Sequence, residues 1–123
     1  MAAWIESVYK SKKRLTIPVM THPGIEALGY KVIDAVKDGE IHYKAIKYMA
    51  EKYPSYACST IMDLTVEAEA FGCNIDFPKN EVPNVTGRLV CDAESVESLN
   101  VPELNAGRVP EYRQQDTVAP HEC

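Results

Sequence analysis

A chain of 123 residues, 46% hydrophobic and 25% charged, has the composition of one small soluble domain able to bury a single core without staples. Its length excludes architectures of about 250 residues, the closed eightfold (β/α) barrel among them. Eighteen acidic against thirteen basic residues leave a formal charge of -5, which repels nucleic-acid phosphates and anionic membrane surfaces, so neither is expected as a partner.

Residues 1–14, with Trp4, Ile5, Val8 and Tyr9 on one face, predict a short amphipathic helix. Its basic end, Lys10, Lys12, Lys13 and Arg14, reads as a solvated terminus rather than a nucleic-acid arm. The first fifteen residues lack an apolar signal core, and no stretch approaches the roughly 20 apolar residues needed to span a bilayer, so a cytoplasmic location is expected. Residues 15–20 have strand length, and Pro18, which cannot donate a ladder hydrogen bond, places them at a strand start or an edge. Thr21-His22-Pro23-Gly24 predicts the loop that ends this strand, the place where α/β folds bind ligands.

Apolar residues at 25, 28, 32, 33 and 36 give a helical spacing interrupted by Gly29. Ile41, Ala45, Tyr48 and Met49 then make an i, i+4, i+7, i+8 stripe that predicts a helix over 40–53, closed by Pro54, with His42 on its surface. Residues 56–62 read as a buried strand ending at Asp63, and 65–71 as a two-turn helix capped by Gly72. This order is a βαβ rhythm, which predicts parallel strands with right-handed crossovers. Cys73, Ile75 and Phe77 alternate with polar residues as a half-buried strand, and residues 82–90 are a loop or an irregular edge strand. Asp92 caps a short helix over 92–99, Gly107-Arg108-Val109-Pro110 opens a further element, and residues 111–123, without either period, predict a disordered tail.

Asp63 is the sharpest candidate for chemistry. A carboxyl at a strand end beside an apolar wall is desolvated, which raises its pKa and prepares it for proton transfer or for holding a cationic group; the same residue can also serve as a helix N-cap. Glu67, four residues on, can approach it, whereas Glu67 and Glu69 point away from each other on a helix. His22 can shuttle a proton or contact a ligand from its loop. Cys58, Cys73, Cys91 and Cys123 are 15, 18 and 32 residues apart without a CxxC pair, so reduced thiols are expected. His121-x-Cys123 has the spacing of half a zinc site, but no rigid element holds it.

Ile61-Met62-Asp63-Leu64-Thr65-Val66-Glu67-Ala68-Glu69-Ala70-Phe71-Gly72 and the strand after it resemble the uroporphyrinogen decarboxylase superfamily, which includes the methylcobamide:coenzyme M methyltransferases. Gly107-Arg108-Val109-Pro110 resembles that superfamily's later Gly-Arg-x-Pro element, so the resemblance covers residues 15–112. It implies an α/β fold, the N-terminal part of a (β/α)8 TIM barrel left incomplete in this chain, between an N-terminal helix over 1–14 and a non-family tail over 113–123. It further implies Asp63 as the catalytic residue, which in decarboxylases faces pyrrole nitrogens and stabilises a cationic intermediate. His22 and Glu67 are the substrate-binding candidates.

Where decarboxylases carry an arginine-rich stretch for substrate carboxylates, this chain has Met20-Thr21-His22-Pro23-Gly24-Ile25. The departure favours the methyltransferase-like branch, whose members transfer a methyl group from methylcobamide to a thiol activated by zinc. Zinc and a corrinoid are accordingly expected for a full-length member, neither bound by this chain alone, and the zinc ligands are not carried onto His121 and Cys123. The expected partners are a small-molecule or corrinoid-protein substrate, with self-association through open sheet edges. Two alternatives stand beside this reading: decarboxylation in porphyrin biosynthesis, and a catalytically silent remnant.

Overall fold

A computed structural model describes residues 3–118, with side chains over 5–113; His121 and Cys123 lie outside the described residues. In chain order the elements are α1 (Ala3–Lys10), α2 (Thr21–Ala27), α3 (Val32–Lys37), α4 (Gly39–Lys52), α5 (Val66–Ala70), β1 (Asn74–Asp76), β2 (Asn84–Thr86), α6 (Ala93–Glu97) and α7 (Val109–Val118). The architecture is a set of helices with one small sheet.

The core is built by α2, α3 and α4 with the segment before Asp63: Ile25, Val32, Ala35, Val36, Ala45 and Ile61 form one buried cluster. Asp38 starts α4 by accepting hydrogen bonds from Glu40 N (2.8 Å) and Ile41 N (3.2 Å), satisfying two donors that a helix start leaves open. The helix then buries His42, Ala45, Ile46 and Met49. That is the i, i+3, i+4, i+7 face, rotated from the predicted Ile41-Tyr48 stripe, and it takes His42 to 0% exposure instead of the surface. Gly24 lies where α2 crosses α4, its backbone against the carbonyl of Ala45 with no room for a Cβ.

Three predicted segments take other forms. Thr21-His22-Pro23-Gly24 is the first turn of α2 rather than a loop, because a proline in a first turn loses no intrahelical bond. The helical spacing over 25–36 breaks at the Gly29 that interrupts it in the sequence, giving the separate helices α2 and α3; the Gly29 φ of 77° belongs to the left-handed region that stops a helix. Residues 111–118, predicted as part of a disordered tail, continue α7. That helix is not amphipathic and is held by particular contacts, among them Gly39 N donating to Glu111 Oε2 at 3.1 Å.

Residues 15–20 and 56–62, predicted as parallel strands, form no ladder. They lie side by side, with Tyr56 N donating to the Thr16 carbonyl (3.1 Å) and Thr21 Oγ1 to the Ser59 carbonyl (3.1 Å). Pro18 cannot donate, and parallel strands form where both faces of their sheet are covered, whereas Ile17, Val19 and Met62 are exposed here. Among the described residues the sheet is instead antiparallel: β1 pairs with β2 in the register Asn74↔Thr86, Ile75↔Val85, Asp76↔Asn84. The predicted half-buried strand and irregular edge strand are thus the two arms of one hairpin. Asp92 caps α6 as its sequence predicts, accepting from Ser95 N at 2.8 Å.

Candidate functional site

Asp63 follows the core residue Ile61 and turns the chain into α5. Its Oδ1 accepts from Thr65 N (2.9 Å) and Thr65 Oγ1 (2.6 Å), a local turn that stands in place of an N-cap, since Thr65 itself precedes α5. Its Oδ2 accepts from Arg108 Nη1 (2.5 Å) and Tyr112 OH (2.9 Å). Four donors fill the acceptor positions of one carboxylate whose side chain is 0% exposed.

Arg108 gathers the rest of the cluster. Its Nε donates to Glu69 Oε2 (2.5 Å), its Nη1 also to the Val36 carbonyl (3.2 Å), and its Nη2 to Thr65 Oγ1 (2.8 Å), with the Phe77 ring below the guanidinium at 4.8 Å. The Thr65 hydroxyl donates to Asp63 and accepts from Arg108, using both capacities of one oxygen. Gly107 and Arg108 thereby return the start of α7 to α5, where a Cβ on Gly107 would meet the Glu69 side chain at 3.1 Å.

The electrostatics differ from the sequence-based expectation. Burial alone pushes the Asp63 carboxyl up, but the hydrogen bonds from Thr65, Arg108 and Tyr112 outweigh it and hold its pKa below the ordinary carboxylate value. Asp63 is therefore a fixed anion and not a proton donor. Burial likewise opposes the charge on Arg108, and its two carboxylate partners overcome that and raise its pKa. The Tyr112 hydroxyl is pushed up by burial and by the Asp63 charge.

Beside this cluster lies His42. Its Nε2 accepts from Ile61 N at 3.0 Å, so the ring proton is on Nδ1, which is buried without a partner. Its edge meets the Tyr112 ring with centroids 5.7 Å apart. Burial lowers its pKa to about 4, against an upward pull from Asp63 and with a further downward push from His22.

The three residues named from the sequence are not brought together. His22 is exposed on α2 and lines a cavity of about 370 Å³ with Ile25, Glu26, Tyr30, Val32 and Asn80. Glu67 is exposed on α5 and lines another of about 290 Å³, between α5 and α7, that also contains Tyr112. The carboxylate that reaches the cluster is Glu69, not Glu67. Arg108, Tyr112, Thr65 and His42 were missed as site residues. The Gly-Arg-x-Pro element pointed to Arg108, and the 42, 45, 46, 49 spacing would have pointed to a buried His42 had a histidine been allowed on an apolar face.

No three His, Cys, Asp or Glu side chains converge on a metal position among the described residues, and no described helix is long and apolar enough to cross a membrane.

Uroporphyrinogen decarboxylase (URO-D) is the family whose model matches this chain, over residues 14–115, from the end of the basic cluster into α7. The chain belongs to that family. A solved structure, a methyltransferase from Methanosarcina mazei, is similar with a TM-score of 0.72 and 24% identity, over 91% of this chain and 36% of the methyltransferase. The chain thus spans about a third of that protein's length. No curated protein matches its sequence.

Proposed function

We propose that this chain is the N-terminal part of a URO-D-type (β/α) barrel of the methyltransferase-like branch, moving a methyl group from methylcobamide to a thiol. In that reaction a sulfur–carbon bond forms as the cobalt–carbon bond breaks, cobalt keeps the bonding electron pair, and the thiol proton leaves to solvent. Zinc, which the resemblance implies for this branch, has no set of three ligands among the described residues, and no step is assigned to it.

The observation that carries the reading is the helix after the first expected strand. Thr21–Ala27 contains no arginine, and the buried cation beside Asp63, Arg108, is committed to Asp63, Glu69, Thr65 and a backbone carbonyl. A polycarboxylated tetrapyrrole would need bidentate cationic partners that this segment does not provide there. The barrel assignment is supported by residues 15–19 and 62–64, where Ile17 (52%), Val19 (62%), Met62 (67%) and Leu64 (80%) are exposed apolar side chains on segments without a ladder. Strands of a complete barrel would cover such residues. The same exposed apolar segments support self-association, and a monodisperse monomer in sedimentation would count against it.

In this reading Asp63 supplies a fixed negative charge at the end of the segment before α5 and exchanges one donor, rather than a proton, when substrate arrives. A catalytically silent segment is the second reading, and one feature favours it: the four acceptor positions of Asp63 are already filled within the chain.

The deciding assay offers methylcobalamin with a small thiol, and separately uroporphyrinogen, to the full chain, alone and mixed with the remaining part of the Methanosarcina mazei methyltransferase. Thioether formation that disappears in Asp63→Ala supports the proposal. Carbon dioxide release from uroporphyrinogen restores the decarboxylase reading. No turnover in any arm, with sedimentation showing that the two parts assemble, is the outcome that the silent reading expects.

A further inference from the structure

The cavity between α5 and α7 has a chemistry of its own. It is an open cleft of about 290 Å³, close to the lower bound of small-molecule sites. Two aromatic rings, Phe71 and Tyr112, line it together with Leu104, and its charged lining residues are Glu67, Glu103 and Arg113. Two carboxylates against one guanidinium leave that lining with a net charge of -1. Aromatic faces attract cations through their quadrupoles, and carboxylates in the same lining raise the local concentration of positive charge.

We propose that this cavity binds a small organic ammonium ion, its apolar body against Phe71, Leu104 and Tyr112 and its charge toward Glu67 and Glu103. An anion would meet the two carboxylates, and a neutral molecule of the same shape would forgo both the ring quadrupoles and the carboxylates. The site also adjoins the cluster described above, because the Tyr112 that lines the cavity is the residue whose hydroxyl donates to Asp63 Oδ2 at 2.9 Å. A ligand packed on the Tyr112 ring therefore steadies the outermost of the four donors on Asp63. This does not depend on methyl transfer, and the site can be occupied in a protein that turns nothing over.

The test is a nuclear magnetic resonance titration of the full chain with benzyltrimethylammonium, its neutral isostere neopentylbenzene, and benzenesulfonate. The ammonium probe is expected to give saturable shifts at residues 66–71 and 102–113. The Glu67→Gln, Glu103→Gln double variant should weaken it about fivefold and Phe71→Leu about threefold, while Glu94→Gln on α6 leaves it unchanged. Glu67, Phe71 and Glu103 are exposed, so these variants keep the fold. Absence of saturable shifts, equal affinity for the neutral isostere, or an undiminished affinity in the double variant would each overturn the proposal. Because the readout is binding alone, its failure is separable from failure of the methyl-transfer assay.

Discussion

The helices α2 to α4 and the stretch from β1 to α6 show two ways of ordering a chain. In the first, Val36, Ala45 and His42 are fully covered and each helix buries a face against its neighbours. In the second, β2 is exposed at every position, α6 buries nothing, and order comes from local hydrogen bonds such as Thr86 Oγ1 to the Asn74 carbonyl and Ser95 N to Asp92. Apolar burial makes the first region cooperative, whereas the second touches it through Phe77, which packs against the core cluster, and through the Lys79 carbonyl, which accepts from Ile33 N. Arg108 and Tyr112 join the chain beyond the second region back to the first. They do so through a buried ion pair rather than a hydrophobic face, which makes the join specific but vulnerable.

The largest effect is expected where that join is cut. Arg108→Ala leaves the Asp63 carboxylate buried without its cation and should cost about 3–5 kcal/mol, read as a lowered denaturation midpoint. Thr86→Ala in the exposed hairpin should change stability by no more than about 0.5 kcal/mol. Equal losses in the two variants would erase the distinction between the regions.

Acid should act on the helical region next. The His42 pKa lies at about 4 in the folded chain against 6.5 ordinarily, so between those values the unfolded state binds a proton that the folded state refuses. Stability therefore falls as pH falls through that window, by about 3 kcal/mol in full, and His42→Leu should flatten the dependence in pH-resolved urea titrations. Asp63, held below the ordinary carboxylate value, contributes stability at neutral pH that is lost as pH drops through its folded pKa. Its loss has the same sign at lower pH.

A smaller loss, about 1–3 kcal/mol, is expected for Gly24→Ala, because the added methyl would meet the Ala45 carbonyl and Met49 Cγ (2.8 Å), and the carbonyl belongs to a helix backbone that cannot move aside. Thermal unfolding measures it. The smallest effect belongs to Asp92→Ala: faster amide exchange within α6 and an unchanged global midpoint, since that cap serves five residues that bury nothing.

Much of the local structure was legible. The helix Gly39–Lys52, the strand around Ile75 and the Asp92 cap follow from periods and cap residues acting over a few positions, whereas residues 82–90 read equally as a loop or an edge strand and their antiparallel pairing carries no local signal. The segments over 15–20 and 56–62 misled, because their apolar, β-tending residues describe strands of a parallel sheet, which needs cover on both faces. Among the site residues, Asp63 stood out from its position after an apolar run, and the sequence placed it correctly beside the core. Its pKa direction did not follow, because the sequence shows desolvation but not that Thr65, two residues on, donates twice to the carboxylate, nor that Arg108 and Tyr112, 45 and 49 residues away, donate to it as well.

By itself the sequence determined a net acidic chain, the helix period of α4, the alternation around Ile75, and the motif from Ile61 to Gly72 that resembles the family. Those properties live within a few residues of one another. The tertiary structure alone decided that His42 is buried and neutral, that Glu69 rather than Glu67 reaches the ion pair, and that Asp63 is held as an anion. Each depends on how strongly a polar group is desolvated and which distant donors compensate it, a balance set by packing rather than by sequence neighbours.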